Sequence, residues 1–293
     1  MYQRGNILSS LPPVTKVFLL INIVVFILSY FAEQSGFRVE NILALHNFKP
    51  SYFYQTNIEG FQPNFFNPVQ IVTHMFMHGS LTHIFFNMFG LFLFGRVLEG
   101  VLGSKKFFIL YVVAGLGSAF LQLGINYLQN SQIALDVLQY MDNPGYNEWW
   151  RLVNKLNFDT ITSVEYRGEV VRFAQAWVEN PDNVSYATQS KYFLHNIFGV
   201  YVNIPMVGAS GAIMGILAAF ALMFPNVELM LIFLPIPIKA KYFVPIFMVL
   251  ELFLGVANFS FDNIAHFAHL GGAIAGFILA WYWKKNQFSN HLY

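Results

Sequence analysis

Four polar side chains stand in long apolar surroundings: His83, Asn87, Ser210 and His269. A serine hydroxyl is a weak nucleophile until a base takes its proton, and histidine is the usual base at neutral pH. Attack on a carbonyl also builds negative charge on oxygen, which fixed donors must meet. The His83 Nε2–H, the Asn87 amide and the backbone N–H groups near Ser210 are donors of that kind. These residue types therefore fit acyl-transfer chemistry. No carboxylate lies on the segment of His269, and Asp262 sits about two helical turns before it. The residues read as a Ser–His pair and not as a triad.

Each of these residues also has a structural reading. Gly208-Ala209-Ser210-Gly211 with Gly215, and Gly272 with Gly276, are small-residue patterns that let helices approach closely. A histidine inside a membrane can equally bond a neighbouring helix. His74 and His78 have the i, i+4 spacing of a metal pair, but no Cys or carboxylate completes a site and Gly79 ends the helix. Glu251 reads as a group paired within a bundle, and Arg96 with Glu99 as a structural i, i+3 pair. No metal, nucleotide or other cofactor is implied.

The elements that must position these groups follow from composition. Of 293 residues, 56% are hydrophobic and 11% charged, with a mean hydropathy of +0.50. A soluble domain carries roughly 25% charged residues, so much of this surface faces something other than water. Sixteen Lys and Arg against fifteen Asp and Glu leave no basic excess for nucleic acid. The absence of cysteine excludes disulfides and thiolate chemistry. An all-α polytopic membrane protein fits, with six apolar runs near the ~20 residues of a span: about 17–32, 80–98, 107–127, 206–224, 242–258 and 263–283. The first is expected to be a retained span. Ser80 is a candidate N-cap, Pro205 precedes the fourth run, and Asp262 or Asn263 can cap the sixth. Pro235 and Pro237 mark 225–241 as a connection.

With six spans both termini share one side. That side holds Arg4, Lys16, Arg96, Lys105, Lys106, Lys239, Lys241, Lys284 and Lys285 against Glu99 and Glu228. The positive-inside rule makes it the cytoplasmic side, and a bacterial cytoplasmic membrane is the expected location. Runs two, four and six then enter from outside, and His83, Ser210 and His269 each lie a few residues in, roughly 5–10 Å deep. Asn87 is one turn below His83 on the same face.

Spans 1–3 occupy 1–127 and include a loop, 33–79, that could dip into the interface. Spans 4–6 occupy 206–293. Between them, 128–205 is the strongly polar stretch, with amphipathic pieces at about 132–141, 146–156 and 165–179 and with Trp149, Trp150 and Trp177. A helical insert on the outer membrane face is expected, because its aromatic content is high for a disordered segment. The spans form one domain.

The sequence resembles the rhomboid family of intramembrane serine proteases. His74-x3-His78-x4-His83-x3-Asn87 is similar to the family's loop-1 and span-2 signature, Gly208-Ala209-Ser210-Gly211 to its GxSG motif, and Ala268-His269-x-x-Gly272-x3-Gly276 to its AHxxGxxxG motif. The likeness covers about 68–127 and 205–283. It implies a six-helix rhomboid bundle, with Ser210 as nucleophile and His269 as general base and then acid. His83 and Asn87 would stabilise the oxyanion with the Ser210 N–H. Gly208, Gly211, Gly215, Gly272 and Gly276 would bring the helices together, and His74 and His78 would belong to a re-entrant loop beside the site. The glycine spacing favours His269 over His266 as the base. Two departures stand out: Met214 replaces a frequent aromatic four residues after the serine, and Val69-Gln70 replace a Trp-Arg pair of some members.

The expected function is hydrolysis of single-span membrane proteins near the outer membrane face, with those substrates and the lipid bilayer as partners. The alternative is an inactive rhomboid-like factor that binds and escorts membrane proteins. Such relatives usually lack the serine or the histidine, and both are present here. A transporter using Glu251 and the histidines would need polar groups across the whole membrane, whereas these cluster on one side.

Overall fold

The computed structural model describes residues 11–231, 234–257 and 264–289. Asp262 and Asn263, the expected caps of the sixth run, lie outside them. Among the described residues the regular structure is helical apart from one short hairpin. Its main helices are α1 (Pro13–Gln34), α2 (Leu81–Leu102), α3 (Ser104–Asp142), α4 (Tyr146–Lys155), α5 (Val164–Glu179), α6 (Ser185–Val202), α7 (Ser210–Met223), α8 (Ala240–Ala257) and α9 (His266–Ser289). Among the described residues, α1, α2, α3 and α8 are long and apolar enough to cross a membrane. Helix α7 is apolar but has 14 residues, a length of about 21 Å against roughly 30 Å of bilayer hydrocarbon.

One core gathers α1, α2, α3, α7 and α9 around Phe18, Leu91, Phe107, Tyr111, Ile216 and Phe220. Helices α3, α7 and α9 pack most closely, and small residues are the reason. A side chain at Gly211 would meet Ser118, one at Gly271 would meet the Gly117 carbonyl, and Gly272 and Gly276 lie against the backbone of Gly211 and Gly215. Glycines therefore form a seam on three helices, close enough for backbone contact.

Glu99 does not pair with Arg96. Its carboxylate accepts from the Val14 N–H (2.9 Å), the Thr15 N–H and Oγ1 (2.7 Å each) and the Ser104 Oγ (2.7 Å). The first turn of α1 offers free N–H groups and the positive end of a dipole. A carboxylate there accepts from four donors at once.

A second core is built from 128–205 and the end of α3, around Val137, Tyr140, Trp149, Leu152, Trp177 and Phe198. The piece expected at 132–141 is not separate. Helix α3 runs unbroken for 39 residues, about 58 Å, because no proline interrupts it and Ile133, Val137 and Tyr140 are buried against α4 and its neighbours. Segment 33–79 is tied to the same unit. Leu45 and Met206 exchange backbone hydrogen bonds at 2.9 Å, and Asn196 and Asn203 accept from the Phe61 and Asn64 N–H groups.

The connection at 225–241 contains an antiparallel hairpin, β1 (Glu228–Leu231) with β2 (Leu234–Lys239), pairing Glu228 with Lys239 and Leu229 with Ile238. In a two-stranded ribbon both strands are edges, so Pro235 and Pro237 are tolerated.

Candidate active site

Ser210 is the first residue of α7, and the chain before it is not helical. The fourth apolar run, expected from about 206, becomes helical only at the serine itself. The N–H groups of Ser210 and Gly211 belong to a first turn without intrahelical acceptors. Gly208 reaches this turn with φ +122, a conformation that disfavours side chains, and its N–H donates to the His74 carbonyl at 2.9 Å. This bond ties the segment of His74 to the turn before the serine, and the His78 ring lies 5.0 Å from that of His83.

His83 and Asn87 lie against Gly208. A Cβ there would fall 2.7 Å from His83 Nε2 and 3.5 Å from Asn87 Nδ2. Ser80 caps α2, its hydroxyl accepting from the His83 N–H at 3.1 Å, as its sequence position predicts. Asn87 is buried, and its Nδ2 has no hydrogen-bond partner among the described residues. A buried donor left without an acceptor is uncommon, and this one faces Gly208, two residues before the serine.

From the other side His269 Nε2 lies 2.9 Å from Ser210 Oγ. His269 is in the first turn of α9, and the Gly211–Gly272 and Gly215–Gly276 contacts bring that turn to the serine. His269 Nδ1 lies 3.0 Å from Glu251 Oε2, and His266 Nδ1 lies 2.7 Å from the same oxygen. A carboxylate only accepts, so both Nδ1 atoms carry their protons, and His269 Nε2 is left to accept from the serine. The reading of the residues that found no acid for His269 is thereby corrected: the carboxylate comes from α8. Met214 is partly buried against the bundle core.

Gln122 also went unremarked in the sequence. Its Oε1 accepts from the Ala268 N–H at 3.0 Å, and its Nε2 donates to Asn126, which donates to Asn47, which donates to the Val202 carbonyl at 2.8 Å. Two amides one turn apart, following the apolar 107–121 stretch of α3, were the available signal. This chain of amides borders a cavity of about 230 Å³ that reaches His266. A second cavity, about 350 Å³, is lined by His78, Gly79, Ser80 and Val207. Among the described residues, the group able to offer three metal ligands is Glu251, His266 and His269, not His74 with His78.

A Rhomboid domain profile matches residues 66–135 and 182–286, which include every residue named at this site except Asn47. The chain belongs to the rhomboid family. With its apolar helices, that membership makes it an integral membrane protein. It is 25% identical over 271 residues to an uncharacterized mitochondrial rhomboid protein of Schizosaccharomyces pombe, a match over 85% of this chain and 60% of that one. It is 31% identical over 96 residues to rhomboid protease GlpG of Haemophilus influenzae, over 33% of this chain and 44% of that one. The rhomboid match is interrupted at 136–181, the part of the second core that holds α4 and α5.

Proposed function

We propose that this rhomboid chain is an intramembrane serine endopeptidase that cleaves single-span membrane proteins near the outer membrane face. The observation that carries the reading is the 2.9 Å contact between His269 Nε2 and Ser210 Oγ, opposite the His83–Asn87 face of Gly208. His269 takes the serine proton as Oγ attacks the scissile carbonyl. The Ser210 N–H, His83 and Asn87 donate to the oxyanion that forms. His269 then gives its proton to the leaving amine, and water hydrolyses the acyl-enzyme by the same route reversed. The amide-lined cavity beside His266 supports water access to the site.

A helix hides its own carbonyls in hydrogen bonds, so a substrate must unwind at the cleavage point. Small or helix-disrupting residues there would ease that step. The protein carries six spans in this reading, α7 and α9 included, with both termini in the cytoplasm of a bacterial cell and 128–205 outside. The basic residues at the ends of α1, α2, α3, α8 and α9 support that orientation.

The test is cleavage of a model single-span substrate in liposomes by wild type, Ser210→Ala and His269→Ala. Wild type should cleave and both variants should not; comparable cleavage by Ser210→Ala would sink the serine mechanism. For topology, a reagent confined to the outside should label a cysteine placed near residue 160 and spare one at residue 286.

A further inference from the structure

We infer that Glu251 is the positioning residue for His269 and that His266 holds Glu251 in place, a four-member line of Ser210, His269, Glu251 and His266. The inference rests on the proposed serine mechanism and deepens it.

Helix α8 is otherwise built for lipid. Leu250, Leu252, Phe253 and Val256 are about half or more exposed, and its buried positions are Ala240, Val244 and Glu251. These three share one face by helical spacing, so the strip that turns inward carries a carboxylate. A carboxylate inside a membrane bundle is costly unless its oxygens are met. The structural carboxylate Glu99 is served by backbone N–H groups and hydroxyls. The partners at Glu251 Oε2 are instead two imidazoles, and one of them is the ring that touches the serine.

Helix packing holds this arrangement independently of the hydrogen bonds. Gly255 is one turn beyond Glu251 on the same face, and a Cβ there would fall 3.1 Å from His266 Cβ and 3.3 Å from the Phe267 ring. The Glu251–Gly255 strip of α8 is therefore seated on the first turn of α9. With Met214 where an aromatic often stands, the His269 ring is held through both nitrogens.

The chemistry is conservative. Glu251 accepts from Nδ1–H and so keeps the Nε2 lone pair aimed at Ser210. The serine proton moves to Nε2, giving an imidazolium beside an anion, and later passes to the leaving amine. Glu251 neither gains nor loses a proton over the cycle. The second hydrogen bond, from His266, fixes the carboxylate so that it does not reorganise during the transfer.

The experiment uses the full chain in liposomes with a single-span substrate, scoring kcat and KM per mole of folded protein for wild type, Glu251→Gln, Glu251→Asp and His266→Phe. Glu251→Gln should lower kcat by about 10²- to 10⁴-fold, the order seen when a triad carboxylate becomes an amide, with KM within threefold. Glu251→Asp, still an anion, should recover part of that loss, and His266→Phe should lower kcat by roughly tenfold. Wild-type kcat in folded Glu251→Gln, with Ser210→Ala dead, would overturn this inference and leave the serine mechanism standing. Loss of folded protein with unchanged kcat in the remainder would make Glu251 structural and also overturn it. Activity removed by a chelator and restored by zinc would make the three residues metal ligands instead. A wild-type protein that neither cleaves nor reacts with a fluorophosphonate at Ser210 would remove both readings.

Discussion

Gly208 and His83 are so close that no side chain fits between them: a Cβ on the glycine would fall 2.7 Å from the ring nitrogen. The same glycine has φ +122. Gly208→Ala therefore meets two obstacles, backbone strain and displacement of an oxyanion donor. It should cut kcat by at least about tenfold while most of the protein still folds, as measured by cleavage per mole of folded enzyme. Wild-type turnover would mean that His83 need not lie where it does.

Asn87 supplies a buried Nδ2 without a partner among the described residues. Asn87→Ala should lower kcat by about 10²-fold, the usual effect of losing one oxyanion donor. The rate of fluorophosphonate reaction at Ser210 should fall as well, because that adduct also presents an oxygen to the same donors. Unchanged rates in both assays would exclude Asn87 from the oxyanion site.

Glu99 ties α1 to the junction of α2 and α3, at the opposite end of α2 from His83. Glu99→Ala leaves two first-turn N–H groups of α1 unmet and should cost roughly 2–4 kcal/mol of stability. Unfolding in detergent is the measurement, and kcat of the folded fraction should stay near wild type. A strong loss of kcat in stable protein would show coupling between α1 and the serine.

Within 128–205, burial pushes the His195 imidazole below its usual range, and Tyr52 Oη lies 3.0 Å from its Nδ1. The unfolded ring has pKa about 6.5 and binds a proton that the folded ring resists. Its contribution to stability is therefore complete above about pH 6.5 and is lost as pH falls below it. Emission from Trp149 and Trp177, in the same core, should report unfolding at lower denaturant as pH drops from 7 to 5. His195→Phe should flatten that dependence; an equal slope in the variant would assign it to other groups.

Much of the site was legible because polar residues in apolar runs are few. Ser210, His269, His83 and Asn87 were found by type and by depth, and the structure brings them together. Glu251 was visible as a charge but not as a partner of His269. Both faces of α8 are rich in Leu, Val and Phe, so hydropathy alone does not say which face turns inward. In sequence Asp262 is the acid nearest before His269, whereas the carboxylate beside its Nδ1 comes from another helix. Aromatic content foretold that 128–205 folds, but hydropathy drops near residue 128 while helix propensity does not. The continuity of α3 was hidden by that drop.

That continuity has a mechanical meaning. Near its middle, α3 presses Ser118 against Gly211, directly behind the serine, and at its far end Val137 and Tyr140 are buried in the second core. Its 39 residues run as one helix without a proline to interrupt them. The second core and the wall behind the serine are thus two parts of one continuous helix, as a porch and a house share a beam.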